Sequence, residues 1–566
     1  VIQLALRSSN AAIFYLPHGY STDGKNIMGI HSASEGFLQG FLRHADIDTA
    51  YCAVDDDAGA FAFQEAVART HRNLAVKAFP IRRPETLTEV GCLYLPGPGL
   101  NEFAWRRRQF DQRGHSLCGI THTTATATVM DAIADFAVAP VQSWDALICT
   151  SHAVQRMVGG LLDDQAKYLR ERLGATDFSL PQMPVIPLGV DTEAFAHSDA
   201  DRKEWRARLS ISDDDIAILF VGRLSFHAKA HPIPMYRALA KAADRTTRRL
   251  HLILAGWFSS ETHETHFRNA AAEICPAVNL LVVDGIDPKV RTTIWSAADI
   301  FTSLADNIQE TFGLTPIEAM AAGLPVVVSD WDGYRDTVRD GIDGYRVPTV
   351  MAPTLLGGDL AYQYATSSID YDAYIGRTAQ FVAVDIDACA TAYAMLIDND
   401  ALRRRMGDEG RNRARTRFDW QTVVAAYQAL WGELGTIRRS SSESVALSPQ
   451  GSARPARPDP FHSFSGYPSA CLTPGDVVSR TAESAASLEM IRNSPLVSFS
   501  RDALPTWEES LRILELIEGS AHKASDVADY FPLERRGVIF RSLVWLAKYG
   551  VISITAAAPQ SMANKP

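Results

Sequence analysis

Residues Asp306–Asp332 read DNIQETFGLTPIEAMAAGLPVVVSDWD, and the punctuation of that stretch sets the fold. Thr315-Pro316-Ile317-Glu318 has the form of a capping box with Pro at the first helical position, which predicts a helix start. Gly323 and Pro325 stop that helix after about two turns. The β-branched run behind them predicts a buried strand. A loop containing Gly313 therefore feeds a helix N-terminus. Free backbone N–H groups and the positive helix end make an anion site there, suited to a diphosphate. Gly313 has no side chain to hold a ligand away from the backbone. A helix-capping role suffices for Glu318 alone, but Glu310 lies on the loop before the same turn. Two carboxylates bracketing a phosphate turn suit hydroxyl-rich ligands, because carboxylates accept hydrogen bonds from sugar and ribose OH groups.

Working outward, short apolar runs alternate with helical periodicity over most of the first 430 residues. They include Ala11–Leu16, Thr49–Val54, Ala146–Thr150, Ile216–Val221, Leu250–Ala255, Leu280–Val283 and Pro325–Ser329. Such runs, each followed by a turn and a helix, predict parallel strands in βα units. Two series flank Val185–Phe195, a connector rich in Pro and Gly. The prediction is α/β: two doubly wound, Rossmann-like halves.

A second piece lies at Phe220–Ala230, FVGRLSFHAKA, directly after a predicted strand. Arg223 and Lys229 sit on a loop at the carboxyl end of that strand, where α/β folds bind ligands. Either cation alone reads as solvated surface.

With these residues in view, ETFGLTPIE resembles the E-x7-E signature of the retaining GT-B glycosyltransferases. This is glycosyltransferase family four, "glycosyl transferases group 1", which includes sucrose-phosphate synthases and bacterial mannosyltransferases. The likeness continues through AMAAGLPVVVSDWDGYRD and runs more loosely over about 10–435. It implies a GT-B fold, two Rossmann-like domains facing across a cleft, and transfer of a sugar from a nucleoside diphosphate to an acceptor hydroxyl. The acceptor would be a saccharide, a lipid or a small molecule. It also implies retention at the anomeric carbon, no cofactor and no metal. Glu318 would hold ribose hydroxyls and Glu310 donor-sugar hydroxyls. The backbone of Phe312, Gly313, Leu314 and Thr315 would meet sugar and phosphates. Arg223 and Lys229 would offset leaving-group charge. His122, in CGITHTTATATV, matches an acceptor-side His, against the plainer reading of a structural His at a strand end. The family commonly carries Pro-Ser before the first Glu, whereas this loop reads SLADNIQE.

Other motifs weigh less. GYSTDGKN at Gly19–Asn26 is nearly a P-loop, but Asn26 stands where Ser or Thr would bind Mg²⁺. Gly24, Lys25 and Gly29 are instead expected to mark a glycine-rich loop over the donor phosphates. Asp330-Trp331-Asp332 and the aspartates at Asp55–Asp57 and Asp213–Asp215 look like metal-binding D-x-D, but read as loops and turns. His263 and His266 lack the spacing of H-E-x-x-H. Trp105-Arg106-Arg107-Arg108 reads as a solvated helix face. No G-x-S-x-G supports a hydrolase.

The expected boundaries are an acceptor domain at 1–187, completed by a crossing helix at about 417–436, and a donor domain at 188–416. A Ser/Pro-rich linker follows at 437–469, then a mostly helical, winged-helix-like appendage at 470–566. From Ser441 onward there are 12 Lys and Arg against 13 Asp and Glu, which suits self- or partner association better than DNA.

Composition closes off other classes. The 566 residues are 46% hydrophobic and 21% charged, with 36 Gly and 28 Pro, which excludes wholesale disorder, collagen and a coiled coil. A net charge of −11 argues against a nucleic-acid partner. No apolar run reaches the ~18 residues of a membrane span, leaving peripheral membrane contact open. Seven scattered cysteines without CxxC spacing suit reduced thiols. The first residues lack the pattern of a secretory signal, so the expected location is the cytoplasm. Two rival readings stay open. One is a GT-B-fold nucleotide-sugar epimerase. The other is a non-catalytic nucleotide-sugar sensor signalling through the appendage.

Overall fold

Six β-branched or small-residue strands build the first sheet: β1 Ala12–Phe14, β2 Thr49–Val54, β3 Ala75–Pro80, β4 Cys92–Tyr94, β5 Ser116–Ile120 and β6 Ala146–Ile148. The computed structural model describes residues 9–20, 29–442, 452, 454–482 and 485–557. All pairings in this sheet are parallel, in the order β3-β2-β1-β4-β5-β6. The second sheet repeats the plan with β7 Ile216–Val221, β8 Leu250–Gly256, β9 Val278–Asp284, β10 Ile300–Ser303, β11 Val326–Ser329 and β12 Gly344–Val347. Its order is β12-β11-β10-β7-β8-β9, again parallel throughout. Most strands are buried on both faces, which is why they read as continuous apolar runs. These are the two doubly wound lobes of the GT-B arrangement, and strand order reverses between β1 and β4 and between β7 and β10.

The lobes are joined twice. A bridge pairs Val190 with Asp419. The helix Trp420–Ser440 then returns to the first lobe, with Asp419 capping it at Gln421 N–H. Its apolar face lies on the helix Gly29–His44. There Trp420 presses against Gly36 and Gly40, and a Cβ on Gly40 would stand 2.4 Å from the indole. Phe37 stacks on Tyr94 at 4.3 Å and meets Tyr427 at 5.1 Å, while Phe41 meets Trp431 at 5.7 Å. Gln428 accepts from the Asp46 N–H and donates to the Ser9 carbonyl.

This helix runs four residues past the expected end at 436, because Arg438 is still held by the first lobe, donating to the Gly114 carbonyl at 2.6 Å. Of the expected linker, residues 443–451 and 453 lie outside the described residues. Residues from Arg454 onward form a second compact unit. In it an antiparallel sheet joins β13 Val477–Arg480, β14 His522–Lys523 and β15 Ile552–Thr555, with β13 central. The helices Trp507–Leu516, Ala524–Asp529 and Arg536–Lys548 give this unit the mostly helical character expected of it. The central strand was not foreseen: DVVSR is too short to carry a pattern. Val478, Ile513, Val527, Ile539, Leu543 and Ile552 form the core of this unit.

Arg107 corrects the reading of a solvated basic helix face. The helix Leu100–Arg108 turns Arg106 outward to Glu102 and Arg107 inward. Arg107 makes a bidentate pair with Asp145 at 2.6 and 2.7 Å, both side chains fully buried. It also donates to the His115 carbonyl, while Asp145 accepts from the Leu117 and Gln142 N–H groups. With every lone pair used, the buried charges are compensated. Asp215, read as a solvated turn, is likewise buried and bonds His251 at 3.0 Å. Six cysteines are buried and Cys471 is exposed.

Removing one partner of such a pair strands the other charge. Arg107→Ala should cost the first unit about 3–5 kcal/mol in chemical denaturation, and Arg107→Met with Asp145→Leu should restore most of it. A loss below about 1 kcal/mol for the single variant would show that the pair is not buried as described.

Candidate nucleotide-sugar site

β7 and β10 are neighbours at the reversal of strand order, so their carboxyl-end loops diverge and leave a crevice. The loop after β7 carries Arg223 and Lys229; the loop after β10 carries Glu310. Lys229 Nζ forms an ion pair with Glu310 Oε2 inside the crevice. Arg223 reaches the same loop by donating to Gln309 Oε1 at 3.0 Å, and it donates to its own loop at the Ala228 carbonyl. Buried Asn307 stiffens this loop: it donates to the His227 carbonyl, accepts from the Gln309 N–H, and its own carbonyl accepts from Trp331 Nε1.

The loop ends at Gly313, with φ +83°, where a Cβ would lie 1.9 Å from the Tyr334 ring. Only glycine fits that close approach in that backbone region. Leu314–Ala321 then forms a helix whose N-cap is Gly313, with no side chain capping it. The expected capping box therefore does not form. Helix begins at Leu314, Thr315 falls inside the first turn, and its buried Oγ1 has no partner among the described residues. The first-turn N–H groups are left for a ligand. Phe312 is buried against Phe418, so only its backbone faces the turn.

Glu318 sits one turn into the helix and accepts no hydrogen bond from any described residue. Burial is the main reason its carboxyl is pushed up to about 7, against the pull of Lys229 and Arg291. Burial also works to raise Glu310, but the Lys229 charge and hydrogen bond hold it below its ordinary range. Burial pulls the Lys229 ammonium down, and Glu310 more than restores it, leaving it above its usual value. Asp332, φ +44°, is pushed up to about 8 by burial and then by the Glu310 charge.

The first lobe reaches the same loop. Thr311 Oγ1 donates to the His122 carbonyl at 2.6 Å, and Thr150 Oγ1 donates to the Thr311 carbonyl at 3.4 Å. Ser151 Oγ donates to Asp332 and the His152 N–H to Asp336. Farther out, the helices Gly358–Ala365 and Tyr371–Ala379 of the second lobe lean over the cleft. Tyr364 OH accepts from the Ala127 N–H at 2.9 Å. Burial lowers the His122 imidazole to about 4, so it is neutral, and its Nε2 has no partner among the described residues.

Lys229, Glu310, Arg223, Glu318, residues 312–315 and His122 thus converge on one crevice. Gly24 and Lys25 lie outside the described residues, and Gly29 is the first residue of its helix. Asp330, from the D-x-D look-alike, pairs with Arg346 and Arg335 at 3.4 and 3.8 Å. Sequence reasoning missed Asp332, Ser151, Thr311 and Gln309. Their roles come from contacts across 86 to 189 positions, which no local pattern reveals. Among the described residues no group of three or more His, Cys, Asp or Glu side chains converges to hold a metal.

Residues 201–356 match the family described as glycosyl transferases group 1. A D-inositol 3-phosphate glycosyltransferase of Geodermatophilus obscurus is 30% identical over 188 residues, 32% of this chain and 40% of its own. A phosphatidyl-myo-inositol mannosyltransferase of Mycobacterium tuberculosis is 28% identical over 240 residues, 42% of this chain and 51% of its own. The chain thus spans about half or less of the length of these relatives. Among solved structures, Anabaena HepE in complex with UDP aligns with a TM-score of 0.48 at 15% identity, over 72% of this chain and 98% of that one.

The Glu318 environment gives a testable sign. Its folded value lies above the ordinary 4.5 of a glutamate, so the fold favours the protonated acid. That stabilisation is complete below about 4.5, is lost as pH rises, and is gone above about 7. Without ligand, Glu318→Gln should flatten the fall in Tm between those limits. Identical Tm-versus-pH curves for the two proteins would refute this reading.

Proposed function

We propose that this chain is a group 1 glycosyl transferase that moves a sugar from a nucleoside diphosphate to an acceptor hydroxyl, with retention at the anomeric carbon and without a metal. The observation that carries the reading is the uncapped N-terminus of Leu314–Ala321, flanked by the Lys229–Glu310 pair and by the unpartnered Glu318 carboxylate.

In this reading the diphosphate lies against the free N–H groups of the first turn, where the helix dipole favours negative charge. Lys229 and Arg223 add full positive charge where the leaving phosphate develops its own. Cations placed beforehand in a water-poor crevice stabilise that transition state more than the ground state. Glu318 accepts from the ribose hydroxyls, which gives its buried carboxylate the donors it otherwise lacks. Glu310, held ionised by Lys229, accepts from hydroxyls of the donor sugar. That contact also fixes Lys229 for the phosphate.

No side-chain nucleophile is assigned. The acceptor hydroxyl attacks from the face the phosphate leaves, and a phosphate oxygen takes its proton, so configuration is retained. The His122 loop, tied to Thr311, lines the acceptor side with a neutral imidazole. Contacts across the cleft exclude water and limit hydrolysis of the donor. The inositol phosphate and phosphatidyl-inositol acceptors in the relatives' names make polyol phosphates the first acceptors to try.

A thermal-shift screen of UDP-, GDP- and ADP-sugars should identify one donor. Lys229→Ala should lower kcat about 10²–10³-fold. Glu318→Ala should weaken donor binding about 10–100-fold with a smaller change in kcat. Wild-type kinetics in both variants would overturn the site assignment. Sugar-nucleotide conversion without any acceptor would favour an epimerase.

A further inference from the structure

The far end of the first sheet carries a second concentration of positive charge, away from the cleft. There the carboxyl end of the helix Trp420–Ser440 meets the segments leading into β4 and β5. Between them lies a hollow of about 320 Å³ lined by Thr88, Asp111, Arg113, Gly114, Arg438 and Arg439. Gly114 precedes β5 and His122 follows it, so the hollow and the cleft lie at opposite ends of that strand.

Three guanidiniums face one carboxylate here, and that carboxylate accepts from the Arg113 backbone N–H at 2.9 Å. Arg438 donates to the Gly114 carbonyl, Arg113 to the Arg439 carbonyl at 3.1 Å, and Arg439 to Thr436 Oγ1. These partners are neutral, in contrast to Arg107, which holds Asp145 close by. The Nε–H groups of Arg113 and Arg438 are buried without a partner among the described residues, and Arg438 is only 9% exposed.

The unbalanced charge acts on neighbouring groups. Arg438 is lowered by burial and then by Arg439 and Arg107, although Cys92 opposes them. His115 is held well below its ordinary range by burial and then by Arg107 and Arg438. A helix carboxyl end accounts for two cations near its last carbonyls. It does not account for the third, nor for two buried donors without acceptors, each of which costs free energy unless something accepts. A tetrahedral oxyanion supplies acceptors on several sides and cancels the surplus charge, and arginine forks match it.

We propose that this hollow binds a phosphate-bearing anion, held by Arg113, Arg438 and Arg439, at a site separate from the nucleotide-sugar crevice. A free phosphate compound and a phospholipid headgroup share this chemistry, and two measurements on the full chain separate them.

The first follows Tm against inorganic phosphate, with sodium chloride of equal ionic strength as the reference. Phosphate should raise Tm in the wild type, and Arg439→Ala and Arg113→Gln should each weaken the apparent affinity about tenfold. Lys229→Ala, which alters the crevice, should leave that component unchanged. The second is co-sedimentation with phosphatidylglycerol or phosphatidylcholine vesicles. Binding to the former alone, lost in the same two arginine variants, identifies a headgroup as the occupant. A phosphate response lost in those variants without vesicle binding identifies a free anion. A phosphate response that neither arginine variant changes, with vesicle binding equally unaffected or absent, overturns the proposal.

Discussion

Lys229 and Glu310 lie 81 positions apart in the chain and meet because β7 and β10 are neighbours in the second sheet. The strand order reverses between them, so the loops leaving their carboxyl ends turn to opposite faces and open a crevice. A single ion pair spans that opening. Because it is largely withdrawn from water, it sets the charge state of its surroundings. Glu310 is kept ionised, Lys229 is kept charged, and Asp332 is pushed toward its neutral form by the carboxylate beside it. The helix Leu314–Ala321 starts directly behind the pair, with its first turn uncapped. Its positive end adds to Lys229 and Arg223 at one point.

The first lobe contributes at the same point through backbone as much as side chain. Thr311, next to Glu310, donates to the carbonyl of His122 and accepts from Thr150 on its own carbonyl. Displacing the first lobe therefore bears directly on the residue that neighbours the ion pair. The crossing helix holds that lobe in place with aromatic packing. Trp420 occupies room left by Gly36 and Gly40 and meets Phe37 edge-on, while Phe37, Tyr94, Tyr427 and Trp431 pack against one another. Such packing tolerates little change in volume, which makes the crossing helix a rigid tie between lobes. The same helix ends in the arginine cluster at the other end of the first sheet.

Much of this was legible from residues close in sequence. Buried parallel strands announce themselves as apolar runs, and Thr49–Val54 and Ile216–Val221 match their strands residue for residue. Glu310, Gly313 and Glu318 share one loop and helix, so their spacing alone suggested a turn that takes phosphate and hydroxyls. Local reading failed where two answers looked alike. Thr315-Pro316-Ile317-Glu318 has the residues of a capping box. Yet Gly313, with a positive φ and no Cβ to meet the Tyr334 ring, starts the helix sooner and leaves Glu318 facing the crevice. Arg107 sits between two partly exposed arginines, and nothing in RRR marks the middle one as buried. The charge that decides it is Asp145, 38 residues later. Asp332 looked like a turn, and its environment comes from Ser151 on the other lobe.

By itself the sequence determined the two α/β lobes, the helix that returns to the first of them, and the glycine turn bracketed by two carboxylates. Each rests on periodicity, glycine placement or charge within a few turns of chain, where neighbours in sequence are neighbours in space. Only the tertiary structure decided which carboxylates are ionised, which arginines are paired, and which donors are left without acceptors. Those properties depend on burial and on partners brought together across tens to hundreds of positions. Desolvation and Coulomb energy act on distance in space, and folding alone sets that distance.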